Sequence, residues 1–215
     1  MFLPDNHRYM LQILLIIFHV FTTFVTTCTM RNMIISLTGF MGCGKSSVGR
    51  ELASLSGAEF VDLDEKIAAY AGRTIPEIFR DGEPAFRAVE LEVLDSVISG
   101  SGSCNMVIAL GGGALTMPEA RELVFSKTRC VYLRTRLETI RKRLGTEDAS
   151  RPMFKDAEEL FIRRAPVYER ATLIVDTDDK TPAEVAALIA REIGVQHSNK
   201  PSCADLSRPY KNNTK

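Results

Sequence analysis

The chain has 215 residues, 45% of them hydrophobic and 25% charged, which is the make-up of one globular domain with some extra terminal sequence. Twenty-seven Lys and Arg balance 27 Asp and Glu, so there is no basic excess with which to grip nucleic acid through its phosphates, and nucleic acid is not an expected partner. The cysteines, at 28, 43, 104, 130 and 203, are five in number and widely spaced, with no CxxC pair, which speaks against a disulfide framework or a zinc site.

The first segment with a pattern is Met10 to Val25, MLQILLIIFHVFTTFV. It falls short of the ~20 residues a spanning helix needs and contains Gln12 and His19. As a secretory signal it lacks a basic n-region, since Asp5 offsets Arg8, and it lacks an Ala-x-Ala cleavage site. Met30 and Met33 stand immediately before the first convincing strand. Residues 1–29 are therefore expected to be an N-terminal extension, from an early start assignment or a leader, with no stable membrane association and a cytoplasmic protein behind it. Residues 30–194 form the expected folded body, and the polar, aperiodic residues 195–215 read as a disordered tail.

Within the body, MIISLT (33–38), EFVDLD (59–64), MVIAL (106–110), CVYL (130–133) and TLIVD (172–176) read as strands buried on both faces. Helical patterns lie between them. Thr74 with Glu77, Thr116 with Glu119, Thr135 with Glu138 and Thr181 with Glu184 have capping-box spacing, and Pro182 suits a first helical position. From Phe86, the positions Val89, Val93, Leu94 and Val97 share one helix face. Strand and helix in alternation imply an α/β three-layer sandwich around a parallel sheet.

After the first strand, Gly39-Phe-Met-Gly42-Cys-Gly44-Lys45-Ser46 matches GxxxxGK(S/T). Glycines let backbone N–H groups converge on phosphate oxygens, the following helix adds the positive end of its dipole, and Lys45 reaches the outer phosphates while the Ser46 hydroxyl ligates Mg²⁺. Gly42, Cys43, Gly44, Lys45, Ser46 and Ser47 are thus the candidate nucleotide-binding residues, with Cys43 read as a small loop residue rather than a redox centre. Because MVIAL runs into Gly111-Gly112-Gly113, the third strand lacks the terminal Asp that a motor or GTPase would carry. Asp62 and Asp64, two apart in EFVDLD, would point to one side of the strand end, one toward the metal and one toward a substrate hydroxyl. They would serve equally well as caps for a helix beginning at Glu65.

Taken together these stretches resemble a shikimate kinase through nearly all of residues 33–193. The phosphate loop is GFMGCGKSSVGREL (39–52), followed in register by DLDEKI (62–67), GRTIPEIFRDGEPAFRAVE (72–90), ALGGGA (109–114), the lid sequence RPMF (151–154) and RRAPVYERA (163–171). The resemblance implies a P-loop kinase of monomer size, from the nucleoside monophosphate kinase fold group, with five parallel strands in the order 2-3-1-4-5 and a mobile lid. It assigns Asp64, Arg87, Gly111, Gly112, Gly113 and Arg164 to shikimate, with Asp64 also catalytic, and Asp62 with Ser46 to the metal. Lys45 and Arg151 would stabilise the transferring phosphoryl group.

Guanidinium groups suit the ring carboxylate of shikimate. Glu90 could hold Arg87 in place, Phe79 and Phe86 would wall the ring, and the loop DTDDKTP (176–182) would lie near adenine. The R-x-P-x-Y spacing of Arg164, Pro166 and Tyr168 favours Arg164 over Arg163. The expected activity is ATP-dependent phosphorylation of the shikimate 3-hydroxyl. The alternatives are another small-molecule kinase, such as a gluconate kinase, or a nucleotide-binding regulatory module that has lost the chemistry.

Overall fold

The computed structural model describes residues 33–102, 104–144 and 157–194. Five strands form one parallel sheet in the order β2-β3-β1-β4-β5: β1 Ile34–Thr38, β2 Glu59–Asp62, β3 Met106–Ala109, β4 Arg129–Arg134 and β5 Leu173–Asp176. Register follows directly, with Leu37 opposite Ala109 on one side of β1 and opposite Val131 on the other. All five strands end near one edge, so the loops that follow β1, β2 and β3 meet in a single crevice.

Successive strand residues feed different layers, as period-two side chains must. Ile34 and Ile108 pack under helices α2 (Leu63–Ala71), α4 (Glu83–Gly100) and α5 (Pro118–Lys127). Ile35 and Val107 instead face α1 (Lys45–Ser56) and α8 (Pro182–Ile193). A third cluster, in which Tyr132 and Tyr168 pack with Ile140 and Leu160, seats α6 (Leu137–Leu144) and α7 (Ala157–Tyr168). Burial on both faces explains the unbroken apolar runs of β1, β3 and β4, whereas the edge strands β2 and β5, also expected to be buried on both faces, bury only Val61 and Val175 because each has a neighbour on one side alone. Along α4, Val93 and Leu94 are buried and Val89 and Val97 pack against the same core, as the periodicity predicts.

Two of the four capping boxes form. Glu184 and Thr181 exchange bonds at the start of α8, and the Glu77 carboxylate accepts the Thr74 N–H ahead of the short helix α3 (Ile75–Phe79). The other two do not. The Thr116 hydroxyl turns back to the Gly113 carbonyl at 2.7 Å, and α5 starts a residue later, behind Met117, with Pro118 in its first turn. Thr135 is buried, and its hydroxyl pairs with that of Thr177 at 2.6 Å, tying the end of β4 to the end of β5. Among the described residues no helix is long and apolar enough to cross a membrane. Residues 1–29, the lid motif with Arg151, and the tail from 195 onward lie outside the described residues.

Candidate active site

The loop between β1 and α1 runs through three glycines with positive φ, one of them closely surrounded and another set by its own backbone conformation. A Cβ on Gly39 (φ +144°) would stand 2.8 Å from the Leu133 carbonyl oxygen, and Gly44 (φ +97°) opens α1 in a left-handed conformation that few side chains accept. Lys45 folds back so that Nζ donates to the carbonyls of Gly39 and Phe40, each at 3.0 Å, which brings its charge over the loop. Cys43 is buried in the layer shared by α1 and the sheet, a packing role that agrees with its reading as a small loop residue, whereas Ser47 is exposed. The loop forms one wall of a cleft of about 580 Å³ whose other walls include Asp62, Asp64, Gly112 and Thr177.

The strand-end acids are arranged differently from the expected alternation. β2 stops at Asp62 and helix α2 begins at Leu63, so Asp64 stands on the first turn of a helix. Asp62 caps the helix with one carboxylate oxygen and meets the phosphate loop with the other. Its Oδ1 accepts the Asp64 N–H at 3.1 Å and caps α2, while Oδ2 accepts the Ser46 hydroxyl at 2.6 Å. A hydroxyl and a carboxylate oxygen this close, beside a phosphate loop, are the hard donors that suit Mg²⁺ completed by water and phosphate oxygens.

Asp64 is held against the turn after β3. A Cβ on Gly111 would meet Glu90 Oε1 at 2.9 Å and Asp64 Oδ1 at 3.0 Å, and one on Gly113 would lie 2.2 Å from Arg87 Nη2. A side chain at either position would displace these carboxylates or the guanidinium, which press on the backbone of the turn. Arg87, only 8% exposed, donates from Nη1 to Glu90 Oε2 at 2.6 Å and from Nε and Nη2 to Glu83 Oε1 at 3.3 and 3.0 Å. Burial opposes the Arg87 charge, but Glu90 and Glu83 overcome it and hold its pKa above the ordinary value. Burial pushes the Glu90 carboxyl up, and the neighbouring Arg87 opposes that shift.

Arg164 reaches the same turn from α7. It is 7% exposed, its Nη1 donates to the Gly112 carbonyl at 3.2 Å, and the Tyr168 hydroxyl donates to that same oxygen. Burial lowers the Arg164 pKa, and the like charge of Arg87 pushes the same way. Its Nε is buried with no hydrogen-bond partner among the described residues. A buried cation with an unpaired donor is costly unless something anionic completes it. Arg163, its neighbour, is exposed.

A shikimate kinase family profile matches residues 41–194. This chain belongs to the shikimate kinase family. It is 37% identical over 175 residues to the shikimate kinase of Chlorobium chlorochromatii (strain CaD3), covering 74% of this chain and 90% of the relative. The shikimate kinase of Thermobifida fusca (strain YX) is 40% identical over 164 residues, covering 73% and 92%. Among solved structures, shikimate kinase from Acinetobacter baumannii in complex with shikimate superposes with a TM-score of 0.71 at 34% identity, covering 78% of this chain and 96% of that one.

Within this shikimate kinase fold, Phe79 and Phe86, the two aromatic residues expected to wall a ring, stack on each other. Their centroids are 4.2 Å apart, and Phe86, 3% exposed, belongs to the core under α4. Three further residues reach the site without having been singled out in the sequence. Arg143, on the last turn of α6, donates to the Cys43 carbonyl at 3.4 Å and the Thr177 carbonyl at 3.1 Å, joining the phosphate loop to the loop after β5. Lys180 lines the same cleft from that loop. Glu83 stands at Arg87. The only sequence signal for Arg143 was a basic last turn, which the helix dipole alone would explain.

Proposed function

We propose that the chain transfers the γ-phosphoryl group of ATP to the 3-hydroxyl of shikimate. The observation that carries this reading is the pair of buried arginines at one glycine turn, Arg87 and Arg164, the second with an unpaired Nε, beside the carboxylate of Asp64. Two desolvated guanidiniums suit a small acid far better than a neutral sugar. The Asp64 carboxylate suits a hydroxyl that must be aligned and relieved of its proton.

In this reading the phosphate-loop amides from Gly42 to Ser47 and the Lys45 ammonium bind the nucleotide's phosphates. Ser46 and Asp62 hold Mg²⁺, which when bound neutralises phosphate charge. Arg87 and Arg164 grip the acceptor's carboxylate, the Gly111–Gly113 turn shapes the floor, and Asp64 aligns the attacking hydroxyl and accepts its proton. Arg151, named by its motif alone, adds charge stabilisation from the lid. Positioning and charge neutralisation then supply most of the rate. All the residues named belong to one chain and the donor is ATP, so a cytoplasmic monomer is the proposed working form. Release of ADP from MgATP by the purified protein, with and without shikimate, tests the reading. Release should depend on shikimate and match the shikimate 3-phosphate formed, and release that ignores shikimate would refute it.

A further inference from the structure

The guanidinium of Arg87 has two edges, and a carboxylate stands at each. The Glu90 carboxylate on the Nη1 side is built in, since its side chain is 2% exposed. The one on the Nε–Nη2 side belongs to Glu83, whose side chain is 61% exposed where that of Arg87 is 10% exposed. Glu83 holds this fork through one oxygen, Oε1, at 3.3 and 3.0 Å, and lines a cavity of about 280 Å³ together with Arg164, Tyr168 and Gly112. Glu83 also acts on the other arginine, its negative charge partly offsetting the burial that lowers the Arg164 pKa. Its carboxylate therefore pairs with Arg87 while lining the cavity that Arg164 also lines, and it sits on the first turn of α4, where a side chain can swing into water without disturbing the helix.

We propose that Glu83 is an internal competitor for the acceptor's carboxylate, pairing with Arg87 until shikimate binds and then yielding the Nε–Nη2 fork to it. The proposal rests on the carboxylate-clamp reading given above. A buried guanidinium fork left unpaired would be costly, and an exposed carboxylate supplies the missing charge while losing little of its own hydration. The consequence is selectivity. Any anion entering the site must first displace Glu83, and an acid that also engages Arg164 and Asp64 recovers that loss, whereas a simple carboxylate does not.

Glu83→Gln keeps the shape and removes the charge. Exposed ion pairs have strengths that correspond to about two- to fivefold in an equilibrium constant. The KM for shikimate should fall by about that factor with kcat unchanged, and inhibition by cyclohexenecarboxylate, competitive with shikimate, should tighten at least as much. Glu83→Asp, which keeps the charge on a shorter stem, should fall between the two. In an Arg87→Ala background, with binding followed by calorimetry on the full chain, the effect of Glu83→Gln should shrink to the residual influence of its charge on Arg164, since the fork it blocks is gone. A KM that is unchanged or raised in Glu83→Gln, or an effect as large in the Arg87→Ala background as in the wild type, overturns the proposal. If Arg87→Ala alone leaves shikimate binding intact, the clamp itself is wrong; if Arg87→Ala is costly while Glu83→Gln is silent, the clamp stands and only the competitor fails.

Discussion

The two halves of the cleft are made in different ways. The nucleotide half is local and mostly backbone, with one strand, one glycine loop and one helix start delivering it from consecutive residues, so a motif spells it out. The acceptor half is assembled from side chains on α2, α4 and α7 around the glycine turn after β3, far apart in the sequence, and it is held by the buried pair of Arg87 with Glu90 and by Arg164 on the Gly112 carbonyl. A site built of amides tolerates variation in its side chains. One built of mutually paired charges does not, because removing one member leaves the others desolvated and unmatched.

The contrast is sharpest at Asp64. Asp64→Asn keeps the shape and removes the charge that orients the hydroxyl and takes its proton. Turnover should fall by about 10²–10⁴-fold while MgATP still binds, and turnover of the variant near the wild-type rate would remove Asp64 from its role. Arg87→Ala and Arg164→Ala come next. Each should lower kcat/KM for shikimate by at least about a hundredfold, since breaking a desolvated charge pair costs ~2–5 kcal/mol, with the KM for ATP nearly unchanged. The exposed Arg163→Ala should be silent, and kinetics in which Arg163 matters and Arg164 does not would reverse the assignment.

Gly113→Ala probes the same half through the backbone. The residue has an ordinary φ of −108°, so the strain comes from the new methyl against Arg87 Nη2, 2.2 Å away. Shikimate kcat/KM should drop by about ten- to a hundredfold as the guanidinium is displaced, with a folded protein by circular dichroism. Wild-type kinetics in this variant would mean that Arg87 is free to move.

The smallest effect lies away from the acceptor, at Asp176, whose carboxylate pairs with Arg134 at 2.5 Å across the ends of β5 and β4. The hydrogen bond from Arg134 holds the Asp176 pKa below the ordinary carboxylate range, so its stabilising contribution is present above that range and lost as pH falls through the depressed value. Both side chains are about half exposed, so Asp176→Asn should cost only ~0.2–1 kcal/mol near neutral pH, with the difference from wild type vanishing in acid. A pH-independent deficit would point to packing instead of charge.

The fold was largely legible because it depends on patterns that sequence carries directly. Apolar runs marked all five strands to within a residue or two, and the glycine loop lies between β1 and α1 where its motif placed it. Asp64 misled because a strand period was extended past Asp62, where the chain had already turned into α2. Thr116 and Thr135 misled because a hydroxyl with capping spacing has other acceptors, and tertiary neighbours won. Arg87 and Arg164 look like solvated helix charges until α4 and α7 close over the Gly111–Gly113 turn, so only resemblance to a family singled them out. Glu83 had no signal at all, since an exposed acid in the first turn of a helix is what the dipole favours anywhere.

If the acceptor half reads charge on the substrate, then removing that charge from the substrate should do what removing an arginine does. The most direct measurement compares kcat/KM for shikimate with that for its methyl ester in the wild-type protein, at saturating MgATP. The ester keeps the ring and all three hydroxyls but presents no carboxylate to Arg87 and Arg164. It should be phosphorylated with an efficiency lower by about a hundredfold or more, the KM for ATP being the same with either acceptor. An ester handled as well as the free acid would contradict the carboxylate clamp.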